Sequence, residues 1–390
     1  MFKKDFNTQL VIHIYIDSQF SFTHYANPLS TLEQLKQVIL SKTQEYSVNY
    51  KMEYCESDIS KLDTFTLFQI FNNEFKDEYI IEITRISTLK KYENQRVLMT
   101  YKGGDTQIIV FHFMTMKWSK QTPNIAQSVP FSESKRLPRN SKYCHNISQN
   151  QIIITGGVDF PDLACYYDYD TNALINYPKM PVKRDRHSLI YVGNDRVFIV
   201  GGDNCKKVTC LNVGYEYYDE YPDMKLERKD PSLCYVNEQY LYVFMGYGNK
   251  EQKHLNNFER LDISVDPYSD SWKLIPLYNP HDVLMPKSYS GVVYIDKENE
   301  FIFFGGSILG SMDNKVIKLK STQNKDVWQF EKVRNHALPF KAAFGETSFV
   351  KPNEEVNEFF QFCFQSEQLI HFDYTNDILE EIQPEWYGKN

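Results

Sequence analysis

Five cations recur at a similar distance ahead of a glycine-ended apolar segment: Arg139 in LPRNSKY, Arg184 in VKRDRHS, Arg228 in LERKDPS, Lys287 in MPKSYSG and Lys341 in LPFKAAF. Arg186 lies two residues beyond Arg184 and is expected to join them. Guanidinium and ammonium groups repeated in this way suit one chemistry, the charge-assisted and often bidentate binding of carboxylate or phosphate. The alternative is that each cation bonds carbonyls or acidic side chains of its own repeat.

No reactive machinery accompanies them. The nine histidines, His13, His24, His112, His145, His187, His254, His281, His336 and His371, show no H-x-x-H or H-E-x-x-H spacing. There is no G-x-S-x-G, P-loop or G-x-G-x-x-G run. The seven cysteines form no C-x-x-C pair, and Cys205 and Cys210, the two nearest each other, lack a second pair to complete a zinc site. The expectation is a protein without catalytic residues, metal or cofactor.

The elements that must position the cations are repeats. Strand-like runs end in glycine pairs at Gly103–Gly104 (RVLMTYKGG), Gly156–Gly157 (QIIITGG), Gly201–Gly202 (RVFIVGG) and Gly305–Gly306 (EFIFFGG). A fourth copy, YLYVFMGYG, keeps Gly246 and Gly248 without the adjacent pair, and a sixth, EFFQFCFQS around Phe364, keeps only the strand. The copies lie 45 to 59 residues apart, one supersecondary unit per repeat. A second strand and an Asp/Asn/Thr turn follow each, as in ACYYDYDTNALINYP and QLIHFDYTNDILEEI, which is hairpin chemistry. Trp118, Trp272 and Trp328 follow the second strand in three copies, where a large ring can fill the gap between neighbouring units.

Strand–Gly–Gly, a Tyr–Asp turn, Trp and Met–Pro, seen here in VFIVGG, YYDYDTN and KMPVKRDRHSLIYV, resemble the Kelch repeat. The resemblance covers residues 96–385 and implies a closed, six-bladed β-propeller. In a closed ring, residues of equal phase must encircle the axis. In Kelch proteins that bind acidic peptides, arginines at this phase line one mouth of the central channel, so the resemblance implies a basic funnel here. Lys135, Arg136 and Arg139 cluster in KWSKQTPNIAQSVPFSESKRLPRNSK, expected to be a mobile polar connection.

Residues 5–83 stand outside the period. TQLVIHIYI and QFSFTHYA read as a hairpin, and STLEQLKQVILSKTQEY as a helix with Ser30 or Thr31 as N-cap and Leu32, Leu35, Val38 and Ile39 on one face. A strand near NYKMEYC and a last strand EYIIEITRI follow. The order resembles ubiquitin-like β-grasp modules, PB1 domains among them. The expected division is a module over 1–84, a linker over 85–95 and the propeller over 96–390.

A net charge of −8 argues against a general binder of nucleic acid or anionic membrane. The first residues carry no small-residue cleavage site, no run approaches a membrane span, and the scattered cysteines suit a reducing compartment. The expectation is a cytoplasmic scaffold that binds other proteins, an acidic segment among them. The alternatives are a substrate receptor of a ubiquitin ligase, a cytoskeletal or ciliary assembly factor, and a propeller enzyme with a channel site.

Overall fold

The computed structural model describes residues 10–16, 19–26, 35, 50–54, 57–58, 79–85, 97–113, 117–146, 150–265, 271–275, 277–278, 288–308, 311–321, 328–342, 344, 358–363, 368–375 and 378–383. The chain divides into two compact units, residues 1–93 with 113–116, and residues 94–112 with 117–390.

The first unit holds β1 (Leu10–Ile16), β2 (Gln19–Ala26), β3 (Tyr50–Tyr54), β4 (Ser57–Asp58) and β5 (Tyr79–Arg85). They form one sheet in the order β2-β1-β5-β3-β4. β1 and β2 make the expected antiparallel hairpin, and β1 pairs in parallel with β5. β5 also pairs with β3, so YIIEITR, the described part of the expected last strand, belongs to this sheet. Of the expected helical face, Leu35 is helical and buried, while Leu32, Val38 and Ile39 lie outside the described residues. So does the expected linker, apart from Arg85.

The second unit is a ring of six blades. Blade one is β6 (Val97–Tyr101), β7 (Ile108–His112) and β8 (Lys117–Gln121), with the short β9 (Asn124–Ile125) after it. Blade two is β10 (Lys142–Asn146), β11 (Gln151–Thr155), β12 (Ala164–Asp168) and β13 (Ala173–Asn176). Blade three is β14 (Ser188–Tyr191), β15 (Arg196–Val200), β16 (Val208–Asn212) and β17 (Tyr217–Tyr221). Blade four starts with β18 (Ser232–Val236) and β19 (Tyr240–Phe244). A two-residue hairpin, β20 (Tyr247–Gly248) and β21 (Lys253–His254), precedes its outer strands β22 (Phe258–Asp262) and β23 (Lys273–Ile275). After β24 (Leu277–Tyr278), blade five is β25 (Gly291–Ile295), β26 (Glu300–Phe304), β28 (Ser311–Ser321) and β29 (Trp328–Ala342), with β27 (Ser307–Ile308) folded onto β28. Blade six is β30 (Glu358–Phe362), β31 (Leu369–Asp373) and β32 (Ile378–Ile382).

Each blade packs both faces on its neighbours, which is why its second strand reads as an unbroken apolar run instead of an alternating one. Ile152 and Ile154 of β11 share a core with Met99 and Val110 of blade one, whereas Ile153 between them joins Leu189 and Ile199 of blade three. Side chains of period two thus serve two interfaces at once. Phe198 and Leu241 continue the series between blades three and four, Phe244 and Phe303 between four and five, and Phe304 and Phe372 between five and six. Trp118 of blade one meets Phe362 of blade six with ring centroids 5.5 Å apart, and Phe111 meets Phe360 at 6.4 Å, so the ring closes on itself.

Blade one has a local device of its own. Alternate residues of the neighbouring β10 reach across to β6: Tyr143 Oη lies 2.6 Å from Thr100 Oγ1, and Ser141 bonds the Tyr101 hydroxyl. His145 Nε2 lies 2.9 Å from both the amide nitrogen and the carbonyl oxygen of Met99. An imidazole therefore meets backbone groups that a further strand would otherwise bond.

Candidate protein-binding face at the channel mouth

The loops entering the inner strands set the register of everything at the mouth. Those of blades two to five each carry a residue in the left-handed region two positions before the strand: Asn140 (φ 55°), Arg186 (φ 52°), Asp230 (φ 49°) and Tyr289 (φ 57°). Such angles are uncommon outside glycine, and for a residue as bulky as tyrosine the surrounding structure must enforce them. The enforcing bonds are backbone to backbone. Asp230 donates its N–H to the Arg186 carbonyl at 2.7 Å, Tyr289 to that of Asp230 at 3.3 Å, and Phe344 to that of Tyr289 at 3.0 Å. A chain of amides thus runs from blade to blade around one rim.

With these residues as markers, the expected cation ring can be placed. Arg184 and Arg228 each sit two residues ahead of their marker and are buried, at 3% and 0% exposure. Arg184 Nη1 donates to the carbonyls of Ile199, Gly201 and Lys207, and Nη2 to Thr209 Oγ1. Arg228 donates to the carbonyls of Met245 and Asn257, to Asn257 Oδ1, and through Nε and Nη2 to the buried Glu259 carboxylate. Glu259 also accepts the N–H groups of Lys225 and Leu226. Both guanidiniums therefore staple the turn between the second and third strands of their own blade. The expectation that they face the channel is corrected: their donors point into the sheet, where positive charge satisfies several carbonyls at once.

Arg139 departs differently. Counted back from Asn140, the place of Arg184 and Arg228 is taken by Pro138, and Arg139 is one residue out of phase. Its exposed side chain makes a bidentate pair with Asp159, at 3.1 and 3.0 Å. Lys341 is exposed, and Lys287 lies outside the described residues. The connection carrying Lys135, Arg136 and Arg139 is anchored: Val129, Phe131 and Leu137 are buried in the core between blades one and two. Its expected mobility is not what these contacts describe.

The glycine pairs back onto the same loops. A Cβ on Gly156 would lie 2.5 Å from the Arg184 carbonyl oxygen, and one on Gly201 would lie 2.5 Å from that of Arg228. The following glycine in each pair donates its N–H to that same carbonyl, Gly157 at 3.2 Å and Gly202 at 3.0 Å. Glycine allows one blade's backbone to touch the arginine loop of the next, which is why the two sequence signals travel together. Gly103 meets the Arg139 loop in the same sense, while Gly104, Gly246, Gly305 and Gly306 adopt positive φ.

The sequence reading named Arg186 but missed the Lys142–Asp230 pair near it. Lys142, at the start of β10, is buried with its Nζ 3.2 Å from Asp230 Oδ1 and 4.5 Å from the centre of the Tyr289 ring. Burial lowers the Lys142 pKa, an effect that Asp230 partly offsets. Burial likewise raises Asp230, partly offset by Lys142 and by the Tyr289 hydrogen bond. Arg186 is exposed and forms no ion pair among the described residues. The Asp230 carboxylate is thus compensated by Lys142 and by the charge of Arg186, whose guanidinium faces solvent. His187, beside them, is fully buried on Thr155 and held well below the usual histidine range by burial and by the Arg184 and Lys142 charges, so it stays neutral.

Among the described residues no group of three or more His, Cys, Asp or Glu side chains could hold a metal ion, and no helix is long and apolar enough to cross a membrane. No family model matches the chain. A RING finger domain and kelch repeat-containing protein of Dictyostelium discoideum is 24% identical over 206 residues, half of this chain and 18% of that protein. The chain thus matches less than a fifth of that relative's length. That similarity and the closed six-blade ring together support a propeller of the Kelch type.

Proposed function

We propose that this chain is a non-catalytic protein-interaction scaffold whose propeller presents its channel mouth to an acidic segment of a partner protein. The observation that carries the reading is the rim of left-handed residues, which projects side chains from successive blades while backbone bonds hold the loops. Arg186 is the principal cation of this surface, with the exposed Lys341 as an outer contributor. A partner carboxylate held by Arg186 would gain a charge-assisted bond, and losing it costs about 1–3 kcal/mol. The contact faces solvent, so salt weakens it. Titration with a fluorescent poly-glutamate octapeptide tests this: Arg186→Ala weakens binding and added salt does the same. Equal affinity of wild type and Arg186→Ala would overturn the reading.

The similarity to a RING and kelch protein favours a second, narrower role, substrate recognition within a ubiquitin ligase. Stable co-purification with a RING-containing protein, lost on deleting the propeller, would support it. We assign the first unit as a β-grasp-like assembly module, supported by its β2-β1-β5-β3-β4 order and the parallel β1–β5 pair. A cytoplasmic location fits the six described cysteines, all of them free thiols.

A further inference from the structure

Two blades have their outermost strand covered by a short parallel strand from the preceding connection. β9 pairs with β13 through Asn124 and Ile125, and β24 pairs with β29 through Leu277 and Tyr278. Blade three lacks this strap among the described residues: its sheet ends at β17. The connection ahead of it is held by a side chain instead, because the Tyr218 hydroxyl donates to the Pro178 carbonyl at 2.8 Å. Every second residue of β17 therefore directs its N–H and C=O outward, a ready template for one more strand.

The edge has a definite chemistry. Tyr215 is 81% exposed and Tyr217 48%, with ring centroids 6.2 Å apart. Glu216 and Glu220 are exposed and form no ion pair among the described residues, and Asp219 is half-buried between them, bonded to Asn212. Acidic side chains occur on both faces of β17, so an added strand meets negative charge whichever way its residues alternate. The exposed rings add flat faces for a cation. Among the other described outer strands without a strap, β8 carries Lys117 and Lys120, β23 carries Lys273, and the acids of β32 are engaged, Glu380 by His371 and Glu381 by Gln368.

We propose that β17 is a docking edge for a short, extended, lysine- or arginine-rich segment of a partner protein, bound by strand addition to blade three. This surface is separate from the channel mouth and stands whether or not that mouth binds an acidic segment. The straps on blades two and five show that this ring accepts a parallel strand at its outer edge. The uncompensated acids and exposed tyrosines fix the sign of the partner's charge.

The test uses the full chain and a fluorescent octapeptide of alternating lysine and valine, with two comparison peptides. One replaces lysine by glutamate; the other is N-methylated at every residue and cannot donate to the edge. The expected result is binding of the first peptide only, weakened about tenfold by Glu216→Lys with Glu220→Lys, since like charges across paired strands repel. Tyr215→Ala with Tyr217→Ala also weakens it. Both double variants alter exposed side chains, and circular dichroism confirms that each remains folded. Absence of binding, binding unaffected by charge reversal, or equal binding of the N-methylated peptide would each overturn the proposal; the last would leave charge attraction without strand addition.

Discussion

Arg184 and Arg186 are two residues apart, carry the same group, and lie on opposite sides of the division between scaffold and surface. Arg184 is buried and spends its donors on three carbonyls and a hydroxyl of blade three. Arg186 is exposed and in a left-handed conformation; it joins the fold through its backbone, and its charge acts on the nearby Asp230 and Asp203 without an ion pair among the described residues. Blade four repeats the arrangement with a buried residue at the rim place: Arg228 is the staple and Asp230 the rim residue, paired with Lys142. Blades three and four keep an arginine at the staple position, where blade two has Pro138, while the rim position changes its chemistry between them. A recurring cation is therefore weak grounds for a binding site, and the variable neighbour is the better place to look.

That contrast can be broken by measurement. The largest effect is expected from Arg228→Ala, which leaves the Glu259 carboxylate buried without its partner; chemical denaturation should show a loss of about 3–5 kcal/mol. A loss below that of an ordinary surface change would mean the pair is not the staple described here. Arg184→Ala strands no carboxylate, and Arg184 Nε already lacks an acceptor among the described residues. It should cost less, about 2–3 kcal/mol for the carbonyls left unsatisfied in a buried turn.

An intermediate case sits in the closing blade. His371 is mostly buried, stacked on Phe360 at 4.5 Å, with Nδ1 2.8 Å from Glu380 and Nε2 3.5 Å from Glu358. Burial works to lower its pKa, but the bonds to Glu358 and Glu380 and their charges outweigh it, and the net shift is upward from 6.5. A raised folded-state pKa means the imidazolium's contribution is fully present below pH 6.5 and is lost as pH rises through the folded-state value. Thermal denaturation at several pH values should show this decline, and His371→Gln should flatten it. The smallest effect belongs to Arg186→Ala, whose stability should stay within about 0.5 kcal/mol of wild type. A larger drop would move Arg186 to the scaffold side of the comparison.

Much of this was legible in the sequence because repetition amplifies weak signals. Glycine pairs, apolar runs and the spacing between copies were enough to read six blades. The strands of the first sheet were legible as a hairpin and later strands, while the expected helix lies outside the described residues apart from Leu35. What escaped had physical reasons. The register of the cations was read from residue type, so Arg139 was aligned with Arg184 although Pro138 holds that place. The rim residues Arg186, Asp230 and Tyr289 adopt positive φ without being glycine, and nothing in their identity announces it. Lys142 looked like any strand-initiating lysine until the fold brought Asp230 and Tyr289 to it. Blade three seemed to lack its tryptophan. There Tyr218 donates to Pro178 as Trp272 donates to Pro222 in blade four, a smaller ring doing the same bonding. The straps β9 and β24 are two residues long, too short for any periodicity to register.

The amide chain along the rim has a consequence for how this protein can diverge. Because Asp230, Tyr289 and Phe344 are joined to the preceding loop through main-chain atoms, the links survive any substitution that tolerates the local φ. Where the rim side chain reaches solvent, as at Arg186, it can be exchanged for others of different charge and size with little penalty to ring closure, whereas Asp230, paired with buried Lys142, and Phe344, buried in the core between blades five and six, cannot. The rim is a place where new specificity can be tried by drift while the architecture beneath it stays under strict constraint.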